Sequence, residues 1–117
     1  MRRRRFWAAV VLLATAARAG AHWLTPETIV AEIAGQRALG VERAERDSHN
    51  ARVLLVHVGP RWQTLPAETR AERAQAWRAV WRHSVAQGVV AVVDARGAAV
   101  LHFNIDGTAD VGARPHP

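Results

Sequence analysis

The chain has 117 residues, a formal net charge of +6 and no cysteine. Five arginines and no acidic residue fall in residues 1–19, so residues 20–117 hold eleven arginines against ten acids, a net charge of +1. A domain with so balanced a charge lacks the excess that drives binding to a phosphate backbone. Without cysteine the chain has neither disulfides nor a lipid attached at a cysteine. These properties argue against a nucleic-acid-binding protein.

Residues 1–19 have the three-part pattern of a secretory signal peptide. Four consecutive arginines at residues 2–5 form a basic head, and residues 6–14 form a short apolar run. Ala17 and Ala19 then supply the small residues that a signal peptidase recognises. The apolar run is much shorter than the roughly 20 residues of a membrane span. We therefore expect cleavage after Ala19, no stable membrane span afterwards, and a periplasmic or secreted product.

The basic head is compatible with two export routes. Residues 3–7, Arg-Arg-Arg-Phe-Trp, resemble a twin-arginine export motif, which implies folding before export. Four arginines in a row match an arginine pair almost automatically, so we expect the general secretory route and keep the twin-arginine route as the alternative. A leader that stays uncleaved as a membrane anchor is the alternative to processing.

The new N-terminus would carry a metal-binding pattern. Cleavage after Ala19 leaves Gly20-Ala21-His22, in which the terminal amine, two backbone amides and the imidazole can surround Cu(II) or Ni(II) in a square plane. Cleavage after Ala21, which ends a second small-x-small site, would make His22 the first residue. That arrangement resembles half of the copper histidine brace of oxidative polysaccharide-cleaving enzymes, whose other features the chain lacks. An exported copper- or nickel-binding protein using His22 is therefore an alternative function.

The rest of the sequence predicts one domain over residues 20–111 and a flexible tail over residues 112–117. A first helix is expected to begin at Thr25, because Thr is a good N-cap and Pro26 suits the first helical position. Gly40 is the expected end of this helix.

Two strands are expected next. Residues 41–47 alternate acids with arginines, which favours an edge strand whose charges discourage association between sheet edges. The same charges would also pair on a helix surface, so a helix is the alternative there. Residues 52–58 are rich in β-branched side chains and apolar on both faces, as in a central strand.

The longest predicted element is a helix over residues 66–87. Trp77 and Trp81 fall on one apolar stripe of this helix, which predicts that they pack against the sheet. Residues 89–93 and 98–105 then predict the two strands of a hairpin.

These elements give an α-β-β-α-β-β order and an α+β fold. The simplest packing is one sheet of about four strands covered by two helices. The long helix between two central strands allows a crossover connection, which would be right-handed.

The clearest candidate surface lies in the loop before the long helix and on its first turns. Arg61, Trp62, Arg70 and Arg73 place an aromatic ring among arginines, a combination that binding hot spots use. These arginines could hold an anion, or their stems could simply cover the sheet edge. We therefore expect a small non-catalytic binding domain whose partner is a protein or small molecule of the cell envelope.

Enzyme signatures are missing from the sequence. It contains no G-x-S-x-G motif, no cysteine nucleophile and no H-E-x-x-H pattern. A minor alternative is an enzyme in which His57, His102 and Asn104 converge, which requires their two strands to be neighbours in the sheet.

Overall fold

The computed structural model describes residues 24–110. The predicted signal peptide, both cleavage sites, His22 and the predicted tail lie outside these residues. In chain order the elements are helix α1 (Pro26–Ala34), a 3₁₀ turn (Arg37–Leu39), strands β1 (Val41–Arg46) and β2 (Val53–Val58), helices α2 (Pro60–Thr64) and α3 (Ala67–Ser84), and strands β3 (Val89–Val93), β4 (His102–Phe103) and β5 (Ala109–Asp110). This mixture of helices and strands confirms the α+β class. The sequence did not predict α2 or the 3₁₀ turn.

Strands β1, β2 and β3 form a mixed sheet with β2 in the centre. β1 runs antiparallel to β2, with Ala44 opposite Val56, and β3 runs parallel to β2, with Ala91 opposite Leu55. Parallel neighbours need a long crossover connection, which α2 and α3 supply. The central position of β2 and the edge position of β1 agree with the expectation from the sequence.

The core lies between one face of this sheet and the helices. In β2 the alternate residues Leu54, Val56 and Val58 are buried, while the residues between them are only half-buried. Trp77 and Trp81 of α3 are 3% and 0% exposed, so they lie on the inner side of the helix as their spacing predicts. The other large side chains that the helices bury are Ile29, Ile33 and Trp62.

Helix α1 begins where the sequence predicts and ends earlier than expected. The Oγ1 of Thr25 accepts a hydrogen bond from the amide of Thr28 at 3.2 Å, which caps the first turn. The helix stops at Ala34, and the amide of Gly35 closes its last turn. Gly40, the predicted stop, instead ends the 3₁₀ turn in the left-handed conformation, with φ of 92°.

The single four-stranded sheet expected from the sequence is wrong. Residues 98–105 do not continue as a strand along β3. Their backbone pairing with β3 is limited to an isolated bridge between Val93 and Ala99 and a 3.0 Å hydrogen bond from the amide of Val100 to the carbonyl of Val92. Strand β4 pairs with β5, and the two form a separate two-stranded sheet.

Two side-chain-stabilised turns explain this arrangement. Asp94 accepts hydrogen bonds from the amides of Arg96 and Ala98, both at 2.9 Å, and so curls the chain immediately after β3. Further along, the Oδ1 of Asp106 accepts hydrogen bonds from the amide and the hydroxyl of Thr108, at 3.0 and 2.7 Å. The amide of Asn104 donates to the carbonyl of Thr108 at 2.8 Å, and this turn folds β4 back onto β5. The chain therefore turns away from the sheet edge before a long hairpin can form.

The small sheet rests against α3. The guanidinium of Arg78 lies over the ring of Phe103, 5.5 Å from its centroid, which is a cation–π contact. Gly107, with φ of 88°, lets the β4–β5 turn approach the same guanidinium. Within residues 24–110 no helix is both long and apolar enough to cross a membrane.

Candidate functional site

A cleft opens where the 3₁₀ turn runs into β1 and where β2 runs into α2. Its volume is about 530 Å³, and its lining residues are Arg37, Ala38, Gly40, Val41, Glu42, Gly59, Pro60 and Arg61. Small-molecule sites in proteins usually have volumes of roughly 300–1,000 Å³. The cleft is therefore large enough to hold a small ligand.

The two glycines hold the walls of the cleft close to the core. A Cβ on Gly40 would overlap the backbone nitrogen of Trp62, and its φ of 92° is one that other residues rarely adopt. A Cβ on Gly59 would overlap the carboxylate of Glu42. The amide of Gly59 donates a 2.9 Å hydrogen bond to the carbonyl of Gly40, which joins the two walls. The floor of the cleft is thus fixed backbone.

Three charged side chains line this fixed backbone. Arg37, Glu42 and Arg61 are all exposed, and within residues 24–110 none of their side chains makes a hydrogen bond or ion pair. Some exposed arginines differ, since Arg43 for example lies 3.6 Å from the carboxylate of Glu45. The cleft therefore presents two guanidinium groups and one carboxylate that are available to a ligand.

A second, smaller depression lies between α1 and α3. Its volume is about 210 Å³, and its lining includes Glu32, Gln36, Arg73 and Trp77. This volume falls below the usual range of small-molecule sites. The Oε1 of Gln36 already accepts a 3.0 Å hydrogen bond from the indole of Trp77, so part of its polar lining is satisfied within the protein. It is the weaker candidate of the two.

The four residues of the binding surface predicted from the sequence do not lie together in the structure. Trp62 is fully buried and stacks on Trp77 with 5.2 Å between ring centroids, so it is a core residue and offers no ring to a partner. Arg61 lies in the cleft, whereas Arg73 lines the smaller depression. Arg70 is half-buried beside α2. Of the four residues, only Arg61 contributes to the larger cleft.

Arg70 is held by the segment that precedes its helix. One guanidinium nitrogen donates to the Oε1 of Gln63 at 3.2 Å, and the Nε is buried without a partner among the described residues. A guanidinium positioned in this way packs α2 against α3.

Sequence reasoning missed Arg37 and Glu42. Neither belongs to a motif, and they reach the cleft only because the chain reverses between the 3₁₀ turn and β1. A usable signal was the pair of glycines, Gly40 and Gly59, which lie just before the first and just after the second of the predicted strands 41–47 and 52–58. Glycines at such positions often mark a close backbone approach.

The histidines do not form the site that the enzyme alternative requires. His57 lies on β2 and His102 on β4, and these strands belong to different sheets. The Nε2 of His57 lies 2.8 Å from a carboxylate oxygen of Glu45, and the side-chain amide of Asn104 donates to Thr108. The neighbouring strands on which the alternative depended are not formed.

Neither a metal centre nor a family relationship identifies the function of the described part of the chain. Residues 24–110 contain no group of three or more His, Asp or Glu side chains placed to hold a metal ion. His22 lies outside these residues, so the copper or nickel site stays a prediction. Comparison with protein-family models, curated proteins and solved structures gave no significant match. The function therefore has to be argued from the site itself.

Proposed function

We propose that this chain is a small exported, non-catalytic binding domain that takes a small anionic ligand in the cleft between Arg37 and Arg61. The observation that carries this proposal is the presence of two arginines without a protein partner on one concave surface. The export half of the proposal rests on the leader pattern of residues 1–19.

Arginine suits an anion better than lysine would. Its guanidinium is planar, stays charged at any physiological pH and can donate two parallel hydrogen bonds to a carboxylate or phosphate. Arg37 and Arg61 belong to different chain segments, so a ligand that contacts both would bridge the two walls. The fixed backbone at Gly40 and Gly59 keeps the separation of the walls nearly constant, which lowers the entropy cost of binding.

Glu42 restricts the kinds of ligand that the cleft can bind. Its carboxylate lines the same cleft and repels a ligand that carries only negative charge. It also accepts hydrogen bonds from an ammonium or hydroxyl group. The cleft is therefore suited to a small molecule with an acidic group and a nearby donor, such as an amino acid or the end of a short peptide.

The proposal is tested by titrating the purified protein with three probes: L-glutamate, succinate and inorganic phosphate. Binding is measured by calorimetry and by amide chemical shifts. We expect L-glutamate to perturb the amides of residues 37–42 and 59–61. Because a hydrogen bond to a charged group contributes about 1.5–3 kcal/mol, Arg37→Ala or Arg61→Ala should weaken binding by at least about tenfold.

Matched variants separate a specific cleft from general charge attraction. Arg96→Ala removes another exposed arginine, in the turn after β3, and should leave binding unchanged. Glu42→Gln should weaken glutamate binding and leave succinate binding equal or stronger, since succinate has no ammonium group. The proposal fails if none of the probes shifts the cleft amides at about 10 mM, or if Arg96→Ala weakens binding as much as Arg61→Ala.

A further inference from the structure

We propose that β1 is a docking edge for a second copy of this chain, which pairs with it antiparallel about a two-fold axis through Ala44. β1 is the outer strand of the three-stranded sheet, and no strand within residues 24–110 pairs with its other edge. Such an edge offers a row of backbone donors and acceptors to another strand. Pairing two edges would join the sheets of both copies into one six-stranded sheet.

The backbone geometry determines which N–H and C=O groups of β1 point away from β2 and can bond to another strand. The amide of Asp47 donates to the carbonyl of Val53 at 2.9 Å, so this is a hydrogen-bonded pair of the β1–β2 ladder. Hydrogen-bonded and non-hydrogen-bonded pairs alternate along an antiparallel ladder. The pairs that involve Ala44 and Arg46 are then non-hydrogen-bonded, and the N–H and C=O groups of these two residues point away from β2.

The charges of β1 select one register for a second copy. An antiparallel copy centred on Ala44 places Arg43 opposite Glu45 of the other chain, and it does so twice because of the symmetry. The same register places Glu42 opposite Arg46 at each end. Opposite charges in directly facing cross-strand pairs are stabilising, and like charges there are destabilising.

Neighbouring registers are less favourable than the one centred on Ala44. A shift by one residue would bring the outward groups of one strand opposite the inward groups of the other, so the hydrogen bonds would not form. The register centred on Arg43 places Arg43 opposite Arg43 and forms no opposite-charge pair. The register centred on Glu45 places Glu45 opposite Glu45 and forms two opposite-charge pairs, Arg43 with Asp47, against four in the register centred on Ala44. The charges of β1 therefore favour the register centred on Ala44 over these neighbours, whereas the sequence alone led us to expect that they would discourage any edge pairing.

The side chains at the centre of the contact are both solvent-exposed, and one oxygen of Glu45, Oε2, already lies 2.8 Å from the Nε2 of His57. Side-chain exposure is 66% for Arg43 and 45% for Glu45, and their ion pair within one chain is long, at 3.6 Å. The ends contribute less, because Arg46 is already engaged with Glu27 at 3.6 Å and the ladder has a bulge between Val41 and Arg43. The paired stretch is short, so we expect a weak, salt-sensitive dimer.

Charge reversal tests the register directly. Sedimentation equilibrium of the purified protein at low salt should show dimerisation. Arg43→Glu places like charges opposite each other at both symmetric positions and should weaken dimerisation by at least about tenfold. The double variant Arg43→Glu/Glu45→Arg keeps the net charge, restores both opposite-charge pairs and should recover most of the affinity. Circular dichroism of each variant checks that the monomer remains folded.

Disulfide cross-linking through a single introduced cysteine tests the same contact independently. In a hydrogen-bonded antiparallel pair the two Cα atoms lie about 5.5 Å apart, which is within disulfide range. The chain has no other cysteine. Ala44→Cys should therefore form a disulfide-linked dimer at least about tenfold faster than Ala95→Cys, which is more exposed and lies in a turn. Three outcomes would each overturn the proposal. The wild-type chain stays monomeric at about 1 mM, the double variant dimerises no more tightly than Arg43→Glu, or the two cysteine variants cross-link at equal rates.

Discussion

Trp81 donates its indole N–H to the backbone carbonyl of Arg52 at 2.8 Å, across 29 residues of sequence. The same carbonyl accepts the amide of Val89, also at 2.8 Å. One acceptor thus joins the long helix α3 to the starts of β2 and β3. The guanidinium of Arg46 covers the other side of the indole ring, 5.5 Å from its centroid. The ring is fixed by both its polar edge and its face.

The three buried tryptophans differ in whether their indole N–H is satisfied. Trp81 bonds to a carbonyl and Trp77 to Gln36, whereas the Nε1 of Trp62 has no partner among the described residues. A net hydrogen bond contributes about 0.5–1.5 kcal/mol, and an unpaired buried donor costs about 1–3 kcal/mol. Each of the three Trp→Phe changes should lower the free energy of unfolding, and the change at Trp62 should lower it least. The loss at Trp62 should be smaller than the loss at Trp77 or Trp81 by at least about 1 kcal/mol.

Urea denaturation of the three variants measures this difference. Each variant loses the same part of an indole ring, so the shared packing cost largely cancels in the comparison. Equal losses at all three positions would show that Trp62 has a hydrogen-bond partner, and the prediction would then be wrong.

The glycine at the floor of the cleft should tolerate no side chain. Gly40→Ala combines a left-handed φ with an overlap against the backbone of Trp62. Gly97 has a similar φ of 82° but open space around it, so Gly97→Ala shows the cost of the conformation alone. That cost is about 1–2 kcal/mol. The overlap at Gly40 should add about 1–3 kcal/mol in the free energy of unfolding.

Thermal and urea unfolding of both variants provide the comparison. If Gly40→Ala and Gly97→Ala lose equal stability, the chain at Gly40 can move away from Trp62, and the cleft is less fixed than its geometry implies. A larger loss at Gly40 would support a fixed backbone beneath Arg37 and Arg61.

Local patterns in the sequence predicted much of this fold. The cap at Thr25 and Pro26, the apolar run that becomes β2, and the Trp77–Trp81 stripe each depend on residues close together in the chain. Propensity and periodicity report such local effects well. The edge position of β1 could be predicted because a row of charges cannot be buried between two strands.

What the sequence did not predict depends on contacts between distant residues. Residues 98–105 have the composition of a strand, but the carboxylate of Asp94 turns the chain away from β3 first. Trp62 lies two residues after Pro60, in a segment that the sequence predicted to be a loop, and its burial against Trp77 shows that it belongs to the core. Arg37 and Arg61 lie in segments that meet through the β1–β2 pairing, so no local pattern links them.

The turn after β3 should depend on pH. The hydrogen bond from the amide of Ala98, and more weakly the amide and guanidinium of Arg96, hold the pKa of the Asp94 carboxyl below its ordinary value. A carboxyl whose pKa is lower in the folded state stabilises the fold above its unfolded pKa of about 3.9 and loses that effect as the pH falls through the folded value. The amides of Arg96 and Ala98 should therefore shift in NMR titrations with a midpoint below about 3.9. Asp94→Asn should abolish that shift, and a midpoint at or above about 3.9 would contradict the prediction.

The copper alternative is tested on the N-terminus of the exported protein. Intact-mass analysis should show a chain that begins at Gly20 or His22, and a chain that still begins at Met1 would contradict export. With either new N-terminus, Cu(II) binding requires the terminal amine and the imidazole of His22 together. His22→Ala, or one extra residue before the terminus, should therefore abolish most Cu(II) affinity in a competition titration. His49→Ala, which removes an exposed histidine from the β1–β2 turn, is the control and should leave the affinity unchanged. Equal affinity in all of these variants would leave the anion cleft as the only functional proposal for this chain.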